Sequence, residues 1–379
     1  MALIHLLADR DPAGLVALTV DHGLRPEAAS EAAWVGRACA GLGIAHRTLE
    51  WQGWDRAGNL QAAAREARYR LLAGYCRENG IADVALGHTR DDNIETFFLG
   101  LMRGAGLEGL SGMRGRFERH GVAFHRPLLG IGRDALREVL KARDAGWIDD
   151  PSNEDPAFDR VRIRQALAGL GIAPSRIAAS IGNLAATGRD LGVELLARLR
   201  PAVRLDRGDL LIARDTFAAL TPEFRRRTLS AALRFIAGSP YPPRGADVMR
   251  LVGRDWEKGA ATLHGCLIHP HRDNLRICRE HAAVADHECD ASGLWDNRWR
   301  FEGARPPGAR IRALGPLGLA QLGPRRTGGR PRSADLASPS LWLGDSLLAA
   351  PLAGPPAPAN LRLTRADDLA SFHTLILSH

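Results

Sequence analysis

Over the first hundred residues, short apolar runs alternate with stretches in which apolar side chains recur every three or four positions. Residues 1–9 read as a brief apolar helix, and "LVALTV" (15–20) as a buried strand ended by "DHGLRPEA". From Pro26 to Gly43 the spacing is helical, with proline inside the start and glycine at the end. "HRTLEW" (46–51) is a second strand, and an alanine- and arginine-rich helix is expected from about Asn59 to Asn79. "ADVALG" (82–87) is a third strand, with a helix beginning near Asp91. Strands alternating with helices imply right-handed crossovers and a doubly wound parallel sheet, an α/β fold. Ligands of such sheets bind beyond the carboxyl ends of the strands, where "DHGLR" and "GHTRDDNIET" both fall.

Farther along, the periodicity changes. An amphipathic helix in "GRDALREVLKARDAG" leads to a polar turn and a basic segment carrying Arg160, Arg162 and Arg164, and helical spacing continues to about Arg200. Residues 205–215 suggest a hairpin, "TPEFRRRTLSAALRFIAG" a capped helix, and "ATLHGCLIHPHRDNLRICRE" a set of strands. From Phe301 to about Pro339 the density of Pro, Gly and Arg points to irregular structure or a linker. Short strand-like pieces surround "LWLGDSLLAAP" in the tail.

Composition adds a partner class. The 379 residues, 45% hydrophobic and 25% charged, suit two or three globular domains, and no run is apolar enough to span a bilayer. The start lacks the basic head and cleavage site of a signal peptide, so a cytoplasmic, membrane-free protein is expected. A net charge of +8 suits a polyanion such as nucleic acid. Yet all but Lys141 and Lys258 of the 51 cationic side chains are arginine, a skew that compositional bias explains equally well. Five cysteines, none in a C-x-x-C pair, argue against a disulfide framework or a zinc or iron–sulfur site. His264, Cys266, His269 and His271 lie close together, but their alternation favours Cys266 as a small core residue, and no metal site is assigned.

The candidate chemistry centres on "GHTRDDNIET". Thr89 can cap the helix with Asp92 completing the reciprocal cap, and an acid in a first turn also suits the helix dipole. That reading explains Asp92 without any function. It explains Glu95 less well, since Glu95 shares Asp92's helical face at i, i+3, toward the ligand edge. Two converging carboxylates there could hold a divalent metal, bind an ammonium or accept a proton.

"VDHGLR" (20–25), "NLQAAAREARYRLL" (59–72), "GHTRDDNIETFFLGLMRGAGLEGLSGM" (87–113), "RPLL" (126–129) and "DDPSNEDPAFDRVRIR" (149–164) together resemble the tRNA(Ile)-lysidine synthases, of the N-type ATP pyrophosphatase (PP-loop) superfamily. The resemblance is specific over about the first 165 residues and weak beyond them. It implies an adenine nucleotide alpha hydrolase-like domain over 1–165 and a helical linker over 166–204. A tRNA-binding, substrate-specificity domain over 205–300 and a small C-terminal domain over 301–379 would follow, both α+β. It implies a ligase that adenylates cytidine 34 in the CAU anticodon of tRNA(Ile) and lets free L-lysine displace AMP. ATP with Mg2+ would be consumed; a homodimer stays open. Asp92 and Glu95 would bind lysine and take its proton, and Arg68 would face the base. Asp21, His22, Gly87 and His88 would line the nucleotide crevice; Arg103, Arg160, Arg162 and Arg164 would meet the tRNA.

One departure matters. The family's Ser-Gly-Gly-x-Asp-Ser loop, which would cradle the ATP phosphates after the first strand, is absent, because the chain starts inside the following helix at "MALIHLL". The first strand of the sheet is therefore expected to be missing and the chain as written not to turn over ATP. A start codon placed too far downstream accounts for this better than a true truncation. Two rivals remain: a tRNA thiolation protein of the same superfamily, and a tRNA-binding remnant without catalysis.

Overall fold

The computed structural model describes residues 1–52, 59–149, 159–325 and 329–377. The polar turn expected between the amphipathic helix and the basic segment, residues 150–158, lies outside them. Two compact units divide the chain, Met1–Gly188 and Arg189–His379.

In the first unit, helix α1 (Ala2–Ala8) precedes strand β1 (Val16–Asp21), α2 (Ala28–Gly41), β2 (Ala45–Glu50), α3 (Leu60–Glu78) and β3 (Asp83–Ala85). Then come α4 (Arg90–Met102), α5 (Leu107–Leu110), β4 (Arg116–Arg119), β5 (Val122–His125), α6 (Arg133–Lys141), α7 (Asp159–Leu170) and α8 (Pro174–Leu199), which runs on into the second unit. β1 pairs with β2 in parallel, Val16 opposite Ala45 through Asp21 opposite Glu50, and β3 pairs in parallel with β5. The expected α/β class with parallel pairing holds. Neither β4 nor β5 was expected from the apolar periodicity: β4 is an antiparallel edge strand, joined to β5 through His120 and Gly121. Both turn residues have positive φ, 52° and 76°, the backbone that a two-residue hairpin turn requires.

Helix α3 explains how two strand pairs share one core. Asn59 caps it by accepting from Ala62 N at 3.1 Å. Tyr69, Leu72, Ala73 and Cys76, at i, i+3, i+4 and i+7, form one buried stripe. The stripe meets Val122 and Phe124 of β5, Leu18 and Val20 of β1, Leu49 of β2 and Val84 of β3. Tyr69 meets Phe124 edge-on at 5.1 Å. Alternation turns Thr19 to the other face of β1, where its Oγ1 meets His46 Nε2 at 2.9 Å. Gly36 of α2 lies over that pair: a Cβ there would stand 3.1 Å from His46 Nδ1. Helices thus cover both faces.

The second unit holds two cores. In the first, β6 (Val203–Asp206), β7 (Asp209–Ala213), α9 (Arg214–Ala219), α10 (Pro222–Ala237), α11 (Gly245–Val252), β8 (Ala261–Leu263), β9 (Cys266–His271) and β10 (Asn274–Arg279) build a sheet ordered β6-β7-β10-β9-β8. Helix α10 is capped by Thr221 and stopped at Gly238, whose φ is 59°, and is buried on nearly every side. Cys266 is fully buried and its thiol faces Leu233 O at 3.5 Å, as befits a core residue.

The second core combines β11 (Glu288–Asp290), β12 (Trp299–Gly303), β13 (Arg310–Ala313), α12 (Gly315–Leu322), α13 (Arg332–Leu336), β14 (Pro339–Leu343), β15 (Ser346–Ala349) and β16 (Leu361–Arg365). The expected irregular stretch from Phe301 to Pro339 is corrected here. Its apolar residues Phe301, Ile311, Leu314 and Leu319 are buried, and its glycines punctuate short elements rather than dissolve them. The expected boundary at 300/301 falls inside β12. The last helix, α14 (Leu369–Leu377), packs Phe372 and Ile376 into the first of these cores, beside α10.

Candidate active site

The carboxyl ends of β1 and β3 carry expected residues. Asp21 closes β1 and its Oδ1 accepts from Gly23 N at 2.8 Å, turning the chain outward. His22 follows, edge-on to Trp51 at 5.6 Å, with Arg68 of α3 at 3.5 Å from its Nε2. Burial first and the Arg68 charge second hold the His22 imidazole below its ordinary pKa, against the pull of Asp21. His22 Nδ1 is buried with no partner among the described residues.

After β3, Gly87 is exposed, with nothing within 4 Å of where a Cβ would stand, so the backbone there is open to approach. His88 is drawn inward. Its Nδ1 accepts from Arg126 Nε at 3.3 Å, and its pKa falls to about 4. Burial is the main cause; Arg126, Arg65 and Arg160 add to it, and Asp92 opposes. His88 is therefore neutral at physiological pH and sits where three arginine charges converge.

Helix α4 begins with the expected reciprocal cap. Asp92 Oδ2 accepts from Thr89 N and from Thr89 Oγ1, each at 2.7 Å, and Thr89 Oγ1 accepts from Asp92 N at 3.3 Å. Asp92 Oδ1 takes Arg133 Nη2 at 3.0 Å. Burial works to raise the pKa of Asp92, and the Thr89 hydrogen bonds with the charges of Arg133 and His88 outweigh it, so the carboxylate stays ionised. Glu95, one turn on, is only 3% exposed, and its Oε1 accepts from Arg164 Nε at 3.1 Å and Nη2 at 2.9 Å. Arg133 Nη2 stands 3.6 Å from that same oxygen.

Beside Glu95 opens a cavity of about 290 Å³, walled by Asp91, Ile94, Arg133, Arg164, Leu167 and Ile177 among others. Its shape follows from packing: Ile94, Phe97 and Phe98 of α4 meet Leu167 of α7 and Ile177 and Ile181 of α8. The wall is largely aliphatic, and its polar end sets two acids, Asp91 and Glu95, against two arginines, Arg133 and Arg164. Asp92 is not in it; Asp91 is, one helical turn before Glu95.

The expected residues thus sort into groups. Asp21, His22 and Arg68 lie together beyond β1, and Gly87, His88, Asp92 and Glu95 lie along the turn after β3 and the first turns of α4. Arg160 of α7 reaches His88 through its charge. Arg162 is exposed and paired to Asp159. Arg164 turns inward to Glu95, a contact the spacing did not suggest. Arg103 follows the far end of α4, eleven positions beyond Asp92 and so roughly 16 Å along the axis at 1.5 Å per residue. The sequence reading passed over Arg65, Arg126, Arg133 and Asp91. Arg126 stood in "RPLL" at a strand end, and Arg133 opens a helix after "GIG", so position was the available signal. Among the described residues, no group of three or more His, Cys, Asp or Glu side chains could hold a metal, and no helix is long and apolar enough to cross a membrane. All five cysteines are free thiols, and Cys39 and Cys76 are buried.

Two parallel strand pairs, β1–β2 and β3–β5, packed with helices and carrying acids and arginines at their carboxyl ends, suit a nucleotide-using domain, and residues 1–170 match the PP-loop domain family. The whole chain aligns with the tRNA(Ile)-lysidine synthase of Ruegeria pomeroyi, 43% identical and covering 91% of that protein. The counterpart from Hyphomonas neptunium is 39% identical over 73% of this chain and 76% of its own. The chain belongs to the tRNA(Ile)-lysidine synthase family. Among solved structures, the U34-tRNA thiolase NcsA from Methanococcus maripaludis, with its [4Fe-4S] cluster, matches 48% of this chain and 66% of its own. Its identity is 16% and its TM-score 0.40, too loose a likeness to argue from.

Proposed function

We propose that the protein makes lysidine at cytidine 34 of a tRNA(Ile) with a CAU anticodon. In the first step O2 of the cytidine attacks the α-phosphorus of ATP and pyrophosphate leaves. In the second, the ε-amine of free lysine attacks C2, the C2–O2 bond breaks, and AMP departs with O2. The observation that carries this reading is the buried Glu95 at the polar end of an aliphatic cavity, in a chain of this family. A lysine side chain has the matching anatomy: four methylenes for Ile94, Leu167 and Ile177, and an ammonium for Glu95. Lysine is recognised as a cation yet must attack neutral, so a carboxylate that first binds it and then takes its proton serves both needs. Asp92, held by Thr89 and Arg133, would keep the helix start and Arg133 in place around that acid.

The crevice at the strand ends suits ATP. The partnerless buried Nδ1 of His22 is an open valence of the kind an adenine edge fills. Arg65, Arg68 and Arg126 supply cations for phosphate, and magnesium would arrive on ATP itself, as part of the substrate. Arg103, Arg160 and Arg162 would meet the tRNA backbone.

The test is transfer of labelled lysine to a tRNA(Ile) transcript by the protein expressed from its gene in genomic context. Incorporation should need ATP, release one pyrophosphate per lysine, and disappear when cytidine 34 is replaced by uridine. Tight tRNA binding with no incorporation would leave only the binding remnant.

A further inference from the structure

Resting on the adenylation step above, we propose that Arg126, with Arg65 beside it, seats the one phosphate that joins AMP to the tRNA and takes up the charge that phosphate gains as AMP leaves. Five arginines are buried among the described residues: Arg126, Arg227, Arg276, Arg298 and Arg330. Four of them meet a carboxylate: Arg227 on Glu223, Arg276 on Asp206 and Asp209, Arg298 on Asp296, and Arg330 on Asp209 and Asp335. Arg126, 8% exposed, meets none among the described residues. A buried cation without an acid is costly, so this one calls for an anion that the reaction supplies.

Its neighbours fix the guanidinium without neutralising it. Arg126 follows β5 directly, at the carboxyl end where such sheets take their ligands. Its Nε donates to His88 Nδ1 at 3.3 Å and its Nη1 to Arg114 O at 2.7 Å, and it lies 4.3 Å over the Phe117 ring of β4. A neutral imidazole, a carbonyl and a ring face bring no net charge. The next ion has the same sign: Arg65 Nη2 donates to Tyr69 Oη at 3.2 Å, and that buried phenol also interacts with Arg126. Two guanidinium groups about one neutral oxygen repel until an anion joins them. Of Arg126's five N–H donors, His88, Arg114 O and Tyr69 account for three, which leaves two for phosphate oxygens.

Position says which phosphate. Arg65 stands one turn from Arg68 on α3, and Arg68 reaches His22, the proposed adenine partner. On the other side Arg126 holds His88, whose acidic neighbour is Asp92. The pair thus links the residues assigned to adenine with those around the lysine acid. In the adenylated tRNA a single phosphate joins adenosine to O2 of cytidine 34, and lysine attacks C2, one bond from O2. When the C2–O2 bond breaks, its electron pair stays on O2, which leaves as a phosphate oxygen, and the attacking nitrogen gives its proton to Glu95. The phosphate passes from a diester with one negative charge to a monoester with two. Cations already fixed and short of an anion favour the more charged product.

The experiment is calorimetric titration of AMP and of adenosine into the full chain, using wild type, Arg65→Gln, Arg126→Gln and Arg126→Lys, after thermal melts establish which variants fold. Wild type should bind AMP about tenfold or more tighter than adenosine, as charge-assisted hydrogen bonds to one phosphate provide. Arg126→Gln should bring AMP down to the level of adenosine and leave adenosine unchanged. Arg126→Lys should recover part of the difference, and Arg65→Gln should lose part of it. Arg65 is exposed, so its variant reads the site even where Arg126→Gln does not fold. Filter binding of the tRNA(Ile) transcript at two salt concentrations separates AMP from the tRNA backbone as the source of the phosphate. If Arg126→Gln weakens tRNA binding and flattens its salt dependence while AMP keeps its advantage over adenosine, the seat serves a backbone phosphate and the proposal falls. An AMP advantage unchanged in Arg65→Gln and in every folded Arg126 variant also refutes it. If wild type binds AMP and adenosine equally, the phosphate seat is lost and the nucleotide site stands; if it binds neither, both fall.

Discussion

Two clusters of arginine and carboxylate, one in each unit, use the same chemistry to opposite ends. In the second unit Asp209 accepts from Arg330 at 2.8 and 3.1 Å and also pairs with Arg276, which reaches Asp206. The side chains of Asp209, Arg276 and Arg330 are 5, 2 and 3% exposed and Asp335 behind Arg330 is fully buried, with Asp206 at the rim 25% exposed. In the first unit Glu95 is as deeply buried, at 4%, but its partners Arg133 and Arg164 are 33 and 37% exposed and line a cavity. A sealed cluster cannot exchange partners without unfolding, because each charge left behind would be stranded away from water. An open one can, since its arginines have solvent to withdraw into. Burial of the carboxylate alone therefore does not separate the two clusters; access to its partners does.

That contrast can be broken most sharply at Asp209. Asp209→Ala strands Arg276 and Arg330 and should destabilise the second unit by about 3–5 kcal/mol in urea unfolding. Lysine binding should be unaffected while the protein stays folded; a loss below about 1 kcal/mol would show that the cluster is not sealed. A smaller effect is expected at Thr89. Thr89→Ala removes the cap and should cost about 1 kcal/mol. It also frees Asp92 to shift from Arg133, so KM for lysine should rise, and a rise in melting temperature would contradict the cap. The smallest effect is in pH. His88 has a folded pKa of about 4 against an ordinary value near 6.5, so the unfolded chain binds more protons between those limits. Stability should fall as pH drops through that window, and His88→Gln should flatten the slope. An unchanged slope would place His88 in water.

Much of the first unit was legible because its signals are local. Thr89 and Asp92 are three residues apart, so a reciprocal cap could be read and is present. Asn59 begins α3 and Gly238 ends α10 for similar reasons. Leu18 and Val20 alternate with Thr19, and the face they select is the one α3 covers. The stretch from Phe301 to Pro339 misled because its elements are only four to eight residues long, too short for either period to show above the glycines and prolines.

By itself the sequence determined β1, β2 and β3 with the helices between and after them, and that Asp92 and Glu95 share a helix face. These follow from backbone stereochemistry and from spacing along one chain. Only the tertiary structure decided that Arg133 closes on Asp92 from 41 residues away and Arg164 on Glu95 from 69, and that Asp91 rather than Asp92 meets the cavity. It alone divided the basic segment into Arg160 toward the crevice, Arg162 toward solvent and Arg164 on Glu95. Long-range ion pairing depends on where separate elements pack, and packing is set by shape and buried apolar area summed over the whole unit, which no local pattern encodes.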